Sequence, residues 1–139
     1  MEKQVGDIPV KGNLEAEGFS PCYEHSIYQY YQINTDYVGG KRAIKSKLKD
    51  KFPISTLSES GLLTIRFVVN CKGETGLYRS KMIDTYLQEI DLSEKDLTQI
   101  YSAISALDKW QPGSVGDNPE DSYYQISFKL VNGSLIDIF

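Results

Sequence analysis

Cys22, Cys71 and His25 are the residues of this chain best suited to covalent or metal chemistry. The chain has no other cysteine, and one pair is typical either of a disulfide in an exported protein or of two buried thiols in a cytosolic one. A disulfide closing a loop of this length would stabilise the fold by roughly 4 kcal/mol. His25 could act as a base for a Cys71 nucleophile. Cys71, however, ends an apolar strand face, where a disulfide or an inert thiol fits better.

Metal binding and catalysis are not expected. Two cysteines and one histidine are short of the four ligands of a structural zinc site. The sequence has no Gly-x-Ser-x-Gly elbow, no Walker loop and no His-Glu-x-x-His motif. Acidic pairs such as Glu89 and Asp91 fall in a charge-rich connector that any solvated surface would show. We therefore predict a non-catalytic protein with no metal and no cofactor.

The charge distribution excludes one class of partner and favours another. A formal net charge of −4 argues against a nucleic-acid binder, whose surface is basic. Residues 41–51 depart from this balance and form a basic cluster on a predicted helix. The cluster is a candidate for contact with an anionic surface, such as lipid headgroups or an acidic partner, or is simply a solvated helix face. The candidate residues are Lys41, Arg42, Lys45 and Lys49.

No segment of the sequence is expected to span a membrane. No apolar run approaches the roughly 20 residues that a spanning helix needs. The first residues also lack the apolar core of a signal peptide. We expect either a cytoplasmic protein or one whose leader has been removed.

The elements that position these residues begin with a predicted central strand at residues 61–71. Leu63, Ile65, Phe67, Val69 and Cys71 alternate along it, so they share one face of a pleated strand. The opposite face is mixed rather than polar, which is typical of a strand paired on both edges. A glycine-containing turn at 72–76 then leads to a second strand at 77–82, which predicts an antiparallel hairpin.

Two helices and a closing strand follow from the remaining patterns. Residues 41–51 and 93–107 carry apolar stripes with helical spacing, and Ser93 is a favourable N-cap for the second helix. Residues 122–131 alternate as a strand. Asn132-Gly133 is the favoured pair for a type I′ turn, after which residues 135–139 could form a short return strand.

Several short motifs occur in a fixed order over residues 38–138. They are Gly39-Gly40, Phe67-Val68-Val69, Lys72-Gly73-Glu74, the helix at 93–107, Trp110-Gln111-Pro112-Gly113 and Tyr124-Gln125-Ile126-Ser127-Phe128. This ordered set resembles the C-terminal domain of TonB-type energy transducers, in its divergent Bacteroidetes form. The resemblance implies an α+β fold with a three- to four-stranded antiparallel sheet and two helices packed on one face. It places this domain at residues 38–139, with residues 1–37 as an N-terminal extension packing on it.

The resemblance also implies a binding site, because the final strand of the family's sheet is an edge. In the family that edge receives an extended peptide, the box segment of an outer-membrane transporter, as an added strand. Unpaired N–H and C=O groups accept a strand with little sequence demand. The partner-binding edge strand expected here is Tyr123, Tyr124, Gln125, Ile126, Ser127, Phe128 and Lys129.

The predicted function is therefore a non-catalytic interaction module linked to energy transduction and transport, in the periplasm or tethered to the membrane in the cell envelope. Its partner would be an extended peptide, another protein or a second copy of the chain, bound by strand addition. The alternative is a structural accessory domain of an envelope lipoprotein that binds no peptide. It follows from the return strand at 135–139, which could cap the same edge.

Overall fold

Strand β3 (Gly61–Val69) is the centre of the sheet around which the chain folds. The computed structural model describes residues 19–23, 27–51 and 60–139, except for the side chains of residues 30 and 31. The other strands are β1 (Tyr28–Gln29), β2 (Asp36–Tyr37), β4 (Thr75–Asp84), β5 (Glu89–Ile90), β6 (Trp110–Gln111), β7 (Ser114–Val115), β8 (Asn118–Pro119), β9 (Ser122–Val131) and β10 (Ser134–Ile138). The helices are α1 (Tyr30–Ile33), α2 (Gly40–Leu48) and α3 (Glu94–Ser105), and a 3₁₀ turn, Lys49–Lys51, follows α2.

The main sheet has six strands, and β3 pairs on both sides as predicted for residues 61–71. It is antiparallel to β4 on one side and to β9 on the other. Beyond β4, the two-residue strand β5 continues the sheet. The far side of β9 takes two strands, because β1 runs parallel to its beginning and β10 antiparallel to its end. The pairs β2–β6 and β7–β8 form separate two-stranded ribbons.

The expected α+β fold was wrong about the sheet. The described part of the chain is mostly β, with a curled mixed sheet and only two short helices beyond the single turn of α1. It does not form a TonB-like antiparallel sheet of three or four strands. The parallel strand β1 comes from residues 28–29, within the segment expected to be an N-terminal extension. Strands of two residues, such as β1 and β5, are too short to show an alternating pattern, so the sequence could not reveal them.

One face of the sheet and both longer helices share a single hydrophobic core. Leu63, Ile65 and Phe67 of β3 are fully buried in it, together with Ile44 of α2 and Ile104 of α3. These are the alternating β3 positions and the helical stripes on which the sequence analysis relied. The even-numbered residues of β3 consequently lie on the opposite face, which we call the outer face.

Helix α3 begins where its capping residue predicts. The Ser93 hydroxyl accepts a hydrogen bond from the N–H of Asp96 at 3.1 Å, which satisfies a donor that the helix cannot pair internally. Helix α2 begins at Gly40 after its N-cap Gly39, and the φ angles of these residues, 68° and 91°, suit glycine. The predicted end of that helix at Phe52 and Pro53 lies outside the described residues.

An aromatic cluster centred on Trp110 ties residues 36–37 to the core. Its ring lies 4.9 Å from the rings of both Tyr37 and Tyr124 and 5.3 Å from that of Phe67, in edge-to-face geometry. The glycine of the Trp-x-Pro-Gly motif, Gly113, passes close to Ile33, where a Cβ would collide with the Ile33 carbonyl. The motif therefore holds the chain before α2 against the loop after α3.

The Asn132-Gly133 pair forms the predicted turn. Both residues have positive φ, 51° and 79°, as a type I′ turn requires. The turn returns the chain as β10, which lies antiparallel to the second half of β9. This pairing decides what the edge of β9 can bind.

Candidate partner-binding surface

The strand expected to receive a partner, β9, is closed by the chain's own C-terminus over its second half. In the β10 pairing, Leu135 lies opposite Leu130. Beyond β10, the main chains of Ser127 and Phe139 exchange two hydrogen bonds, of 2.8 and 2.9 Å. The N–H and C=O groups that an added strand would use on this part of β9 are therefore already paired.

The beginning of β9 is closed by β1. Gln29 lies opposite Tyr123, and the N–H of Tyr28 donates to the carbonyl of Asp121 at 3.0 Å. Only residues 124–126 lie between the two pairings, which is shorter than a typical strand of 5–6 residues. The expectation that residues 123–129 form a free edge is thus corrected, because β9 is an interior strand.

Side chains of the expected edge strand divide between the two faces of the sheet. Tyr124, Ile126 and Phe128 are buried in the core. The others lie on the outer face, where Gln125 and Lys129 are exposed, and Tyr123 and Ser127 half-buried. What β9 offers to a partner is accordingly a set of outer-face side chains.

The two cysteines are joined. Cys22 and Cys71 form a disulfide with a Cα–Cα distance of 6.0 Å, which fastens the N-terminal segment to the end of β3. The fully buried carboxylate of Asp121 lies beside it and accepts hydrogen bonds from the N–H groups of Tyr23 at 2.7 Å and Cys71 at 2.9 Å. The segment is also held by Asn70, whose side-chain amide donates to the carbonyl of Ser20 at 3.1 Å.

This junction is also where potential metal ligands meet. The two sulfur atoms and a carboxylate oxygen of Asp121 lie within 4.8 Å of one another. The two sulfur atoms are bonded to each other, so neither is a thiolate that could bind a metal ion. The carboxylate of Asp121 accepts hydrogen bonds from the two backbone N–H groups. The arrangement thus supports a structural junction. His25, the other residue considered for chemistry, lies outside the described residues.

The basic residues proposed on α2 do not form one free patch. Lys45 is 3.4 Å from the carboxylate of Asp137, and the ammonium of Lys41 lies 5.8 Å from the centre of the Tyr124 ring. Burial lowers the pKa of Lys41, although Asp36 partly opposes the shift. The pKa of Asp137 is lowered, first by the N–H of Ile138 and then by Lys45. Arg42 and Lys49 are the exposed members of the set.

A second group of cations, which the sequence analysis did not single out, lies on the outer face. The register places Arg66 of β3, Arg79 and Lys81 of β4, and Lys129 of β9 on this face. On the same face, the described main-sheet strands also contribute two acidic side chains: Glu89 of β5 lies opposite Ile83, and Asp137 of β10 lies opposite Lys129. The outer face is therefore locally basic in a chain whose net charge is −4.

Two arginines lie directly opposite each other within this group. Arg66 and Arg79 are register partners on adjacent strands, an arrangement of like charges that destabilises a sheet. The Arg66 guanidinium lies 4.5 Å from the centre of the Tyr123 ring and 3.4 Å from Oε1 of Gln29, on the β9 side. Arg79 makes no comparable contact with any described residue, and its Nε is buried without a hydrogen-bond partner there.

Register explains why the outer-face cations were missed. Arg79 and Lys81 alternate in the sequence, and Arg66 stands on the mixed face of its strand. These positions can be read from the sequence, but the sequence does not indicate that the three residues lie on one surface of the sheet. The bulge between Arg66 and Val68 in the β3–β4 pairing further hides which residues are opposite.

Comparison with known proteins found no relative of this chain. No family model, no curated protein and no solved structure matches it. The resemblance to TonB-type transducers stays a prediction about sequence, while its implied sheet is corrected above. Within residues 19–23, 27–51 and 60–139, no helix is both long enough and apolar enough to cross a membrane.

Proposed function

We propose that this chain is a non-catalytic interaction module of the cell envelope, which meets a protein partner through a face of its sheet and takes no partner strand along β9. The observation that carries the proposal is the closure of β9 by β1 and β10. Closing this side of β9 removes, along that strand, the feature on which strand addition depends. The proposal shares its closed edge with the alternative expectation, a structural accessory domain of an envelope lipoprotein that binds no peptide.

An exported location is supported by the disulfide. Disulfides persist in oxidising compartments such as the periplasm and are rare in the cytosol. The bond between Cys22 and Cys71 is built into the fold, because Asp121 binds backbone N–H groups on both sides of it. The protein purified from an oxidising compartment should therefore have a mass lower by two hydrogen atoms than the same protein after reduction.

The described groups whose pKa values are shifted lie in structural surroundings. Burial raises the pKa of Tyr78 and of Tyr101, whose rings stack in the core with centres 5.0 Å apart. The other shifted groups that the structure describes are Lys41 and Asp137, which have separate partners on α2 and β10. Burial, a neighbouring charge or a hydrogen bond accounts for the shift of each of these groups.

Hydrogen exchange on the intact protein tests the closed edge. The amides of Ser127 and Phe139 donate to each other's carbonyls, so both should exchange only through opening of the sheet and be protected many-fold over the exposed amide of Gly116. In parallel, a peptide with the sequence of residues 134–139 is titrated against the full chain. We expect no binding, because the chain's own copy of that strand occupies the site.

Two results would contradict the proposal. One is exchange of the Phe139 amide at the rate of an unstructured chain, which would mean that β10 does not cap β9. The other is saturable binding of the added peptide, lost when proline replaces Gln125. That result would return the function to strand addition at residues 123–129.

A further inference from the structure

We infer that the outer face binds an extended acidic segment of a partner protein, in which carboxylates at alternate positions contact Arg79 and Lys81. This inference rests on the proposed function, since it names the surface and the kind of partner for a module whose β9 edge is closed. Arg79 and Lys81 are neighbours on one face of β4, and Lys129 lies on the same face two strands away. Lys81 and Lys129 border the half-buried apolar pair Leu62 and Ile83, and Arg79 lies one outer-face position further along β4 than Lys81.

The state of these cations indicates a missing anion. Arg79 faces Arg66 directly, and no described residue supplies a carboxylate to it. Its Nε is buried and has no acceptor among the described residues. Lys81 is exposed and likewise has no ion-pair or hydrogen-bond partner there. A bound carboxylate would give Arg79 an acceptor.

The spacing of the cations suits an extended polypeptide. Residues two apart on a strand lie about 7 Å from each other on the same face, so Arg79 and Lys81 have the same repeat as alternate residues of an extended peptide. Two strand spacings combined with an offset of two residues along the strand place Lys129 about 12 Å from Lys81.

Two other anionic partners fit the surface less well. Recruitment to anionic lipid typically uses clusters of four to eight basic residues, whereas this face exposes fewer and carries Glu89 beside them. Single-stranded nucleic acid would need an aromatic platform for its bases. Tyr123, an aromatic residue of the outer face, is half-buried and already stacked on Arg66.

Fluorescence or calorimetric titration of the intact, oxidised protein tests the inference. The probe is a short peptide of alternating threonine and glutamate, and the same peptide with glutamine in place of glutamate serves as the neutral control. We expect saturable binding of the acidic peptide that weakens as salt is raised, and no binding of the neutral one. A peptide with the same charge in Thr-Thr-Glu-Glu order should bind more weakly, because it presents fewer carboxylates at the required spacing.

A matched pair of variants locates the site. The double variant Arg79→Gln/Lys81→Gln should lose about tenfold in affinity, as expected when two charge-assisted contacts are removed. The double variant Arg42→Gln/Lys49→Gln removes the same charges from exposed positions of α2 and its 3₁₀ turn, and should keep wild-type affinity. If Arg79→Gln impairs folding, the single change Lys81→Glu at an exposed position provides the same test.

The outcomes separate this inference from the proposed function. Equal losses in both double variants, or no loss in either, would overturn the outer-face site while β9 stays closed by hydrogen exchange. Binding to vesicles of phosphatidylglycerol and phosphatidylcholine, without binding of the acidic peptide, would also overturn it in favour of a lipid surface. Peptide binding that exposes the Phe139 amide would instead refute the closed edge and with it the proposed function.

Discussion

Removing the disulfide should destabilise the protein strongly without changing its folded structure. The bond joins residues separated by 49 positions, and the chain-entropy model assigns about 4 kcal/mol to closing such a loop in the unfolded state. Domains of this size are stable by only about 5–15 kcal/mol, so the loss is a large fraction. At roughly 2–4 °C per kcal/mol, the melting temperature should fall by about 8–16 °C.

The folded state should survive the change because its other contacts at this junction do not involve sulfur. Asp121 accepts hydrogen bonds from two backbone N–H groups, and Asn70 donates one to the carbonyl of Ser20. These hydrogen bonds do not require the disulfide. The effect should therefore come from a more expanded unfolded state. Urea unfolding of Cys22→Ala/Cys71→Ala should show a lower midpoint and a steeper dependence on urea, with an unchanged circular dichroism spectrum before the transition.

Two controls make this prediction sharp. The single variant Cys22→Ala and the reduced wild-type protein both lack the bond, so each should lose as much stability as the double variant. A loss below about 1 kcal/mol in all three would refute the reasoning, because it would mean that the N-terminal segment is already constrained in the unfolded chain.

Three further predictions follow from buried contacts. Asp121→Asn should lower the free energy of unfolding in urea by about 2–3 kcal/mol. The amide keeps one oxygen acceptor but replaces the other with an NH₂, which faces a backbone N–H and cannot accept its hydrogen bond. Unchanged stability would show that the carboxylate is not needed. Gly113→Ala should cost about 1–3 kcal/mol in the same assay through collision with the Ile33 carbonyl, and a neutral result would mean that the loop can retreat. Burial raises the pKa of Tyr78 and Tyr101, so stability should be fully present below pH 10 and fall as the pH rises beyond it, because the unfolded state loses its tyrosine protons first. Tyr101→Phe should flatten this fall in alkaline unfolding measurements, and an unaltered slope would refute the assignment.

Local patterns predicted much of the chain because they depend on neighbours in sequence. The alternation along β3 indicated a central strand, and Ser93 marked the beginning of α3. Asn132 and Gly133 predicted the turn, since few other residue pairs adopt positive φ at both positions. In each case the residues fit only one type of local backbone structure, and the folded protein contains that structure at these positions.

The sheet that the family resemblance implied was wrong for a physical reason. It was based on the order of helices, strands and motifs, and that order leaves open which strands pair. Two residues at 28–29 add a parallel strand to β9, and the C-terminal strand adds an antiparallel one. Backbone hydrogen bonds make almost no demand on side chains, so a strand this short has no signature in the sequence.

What the amino-acid sequence determined by itself was the set of local elements, the single pair of cysteines and the overall acidic balance. Only the tertiary structure decided that β9 is closed on both sides and that Arg66, Arg79 and Lys81 share the outer face. The reason is that register is a relation between distant segments. If the pairing of one strand were shifted by one residue, the side chains of that strand would lie on the other face of the sheet.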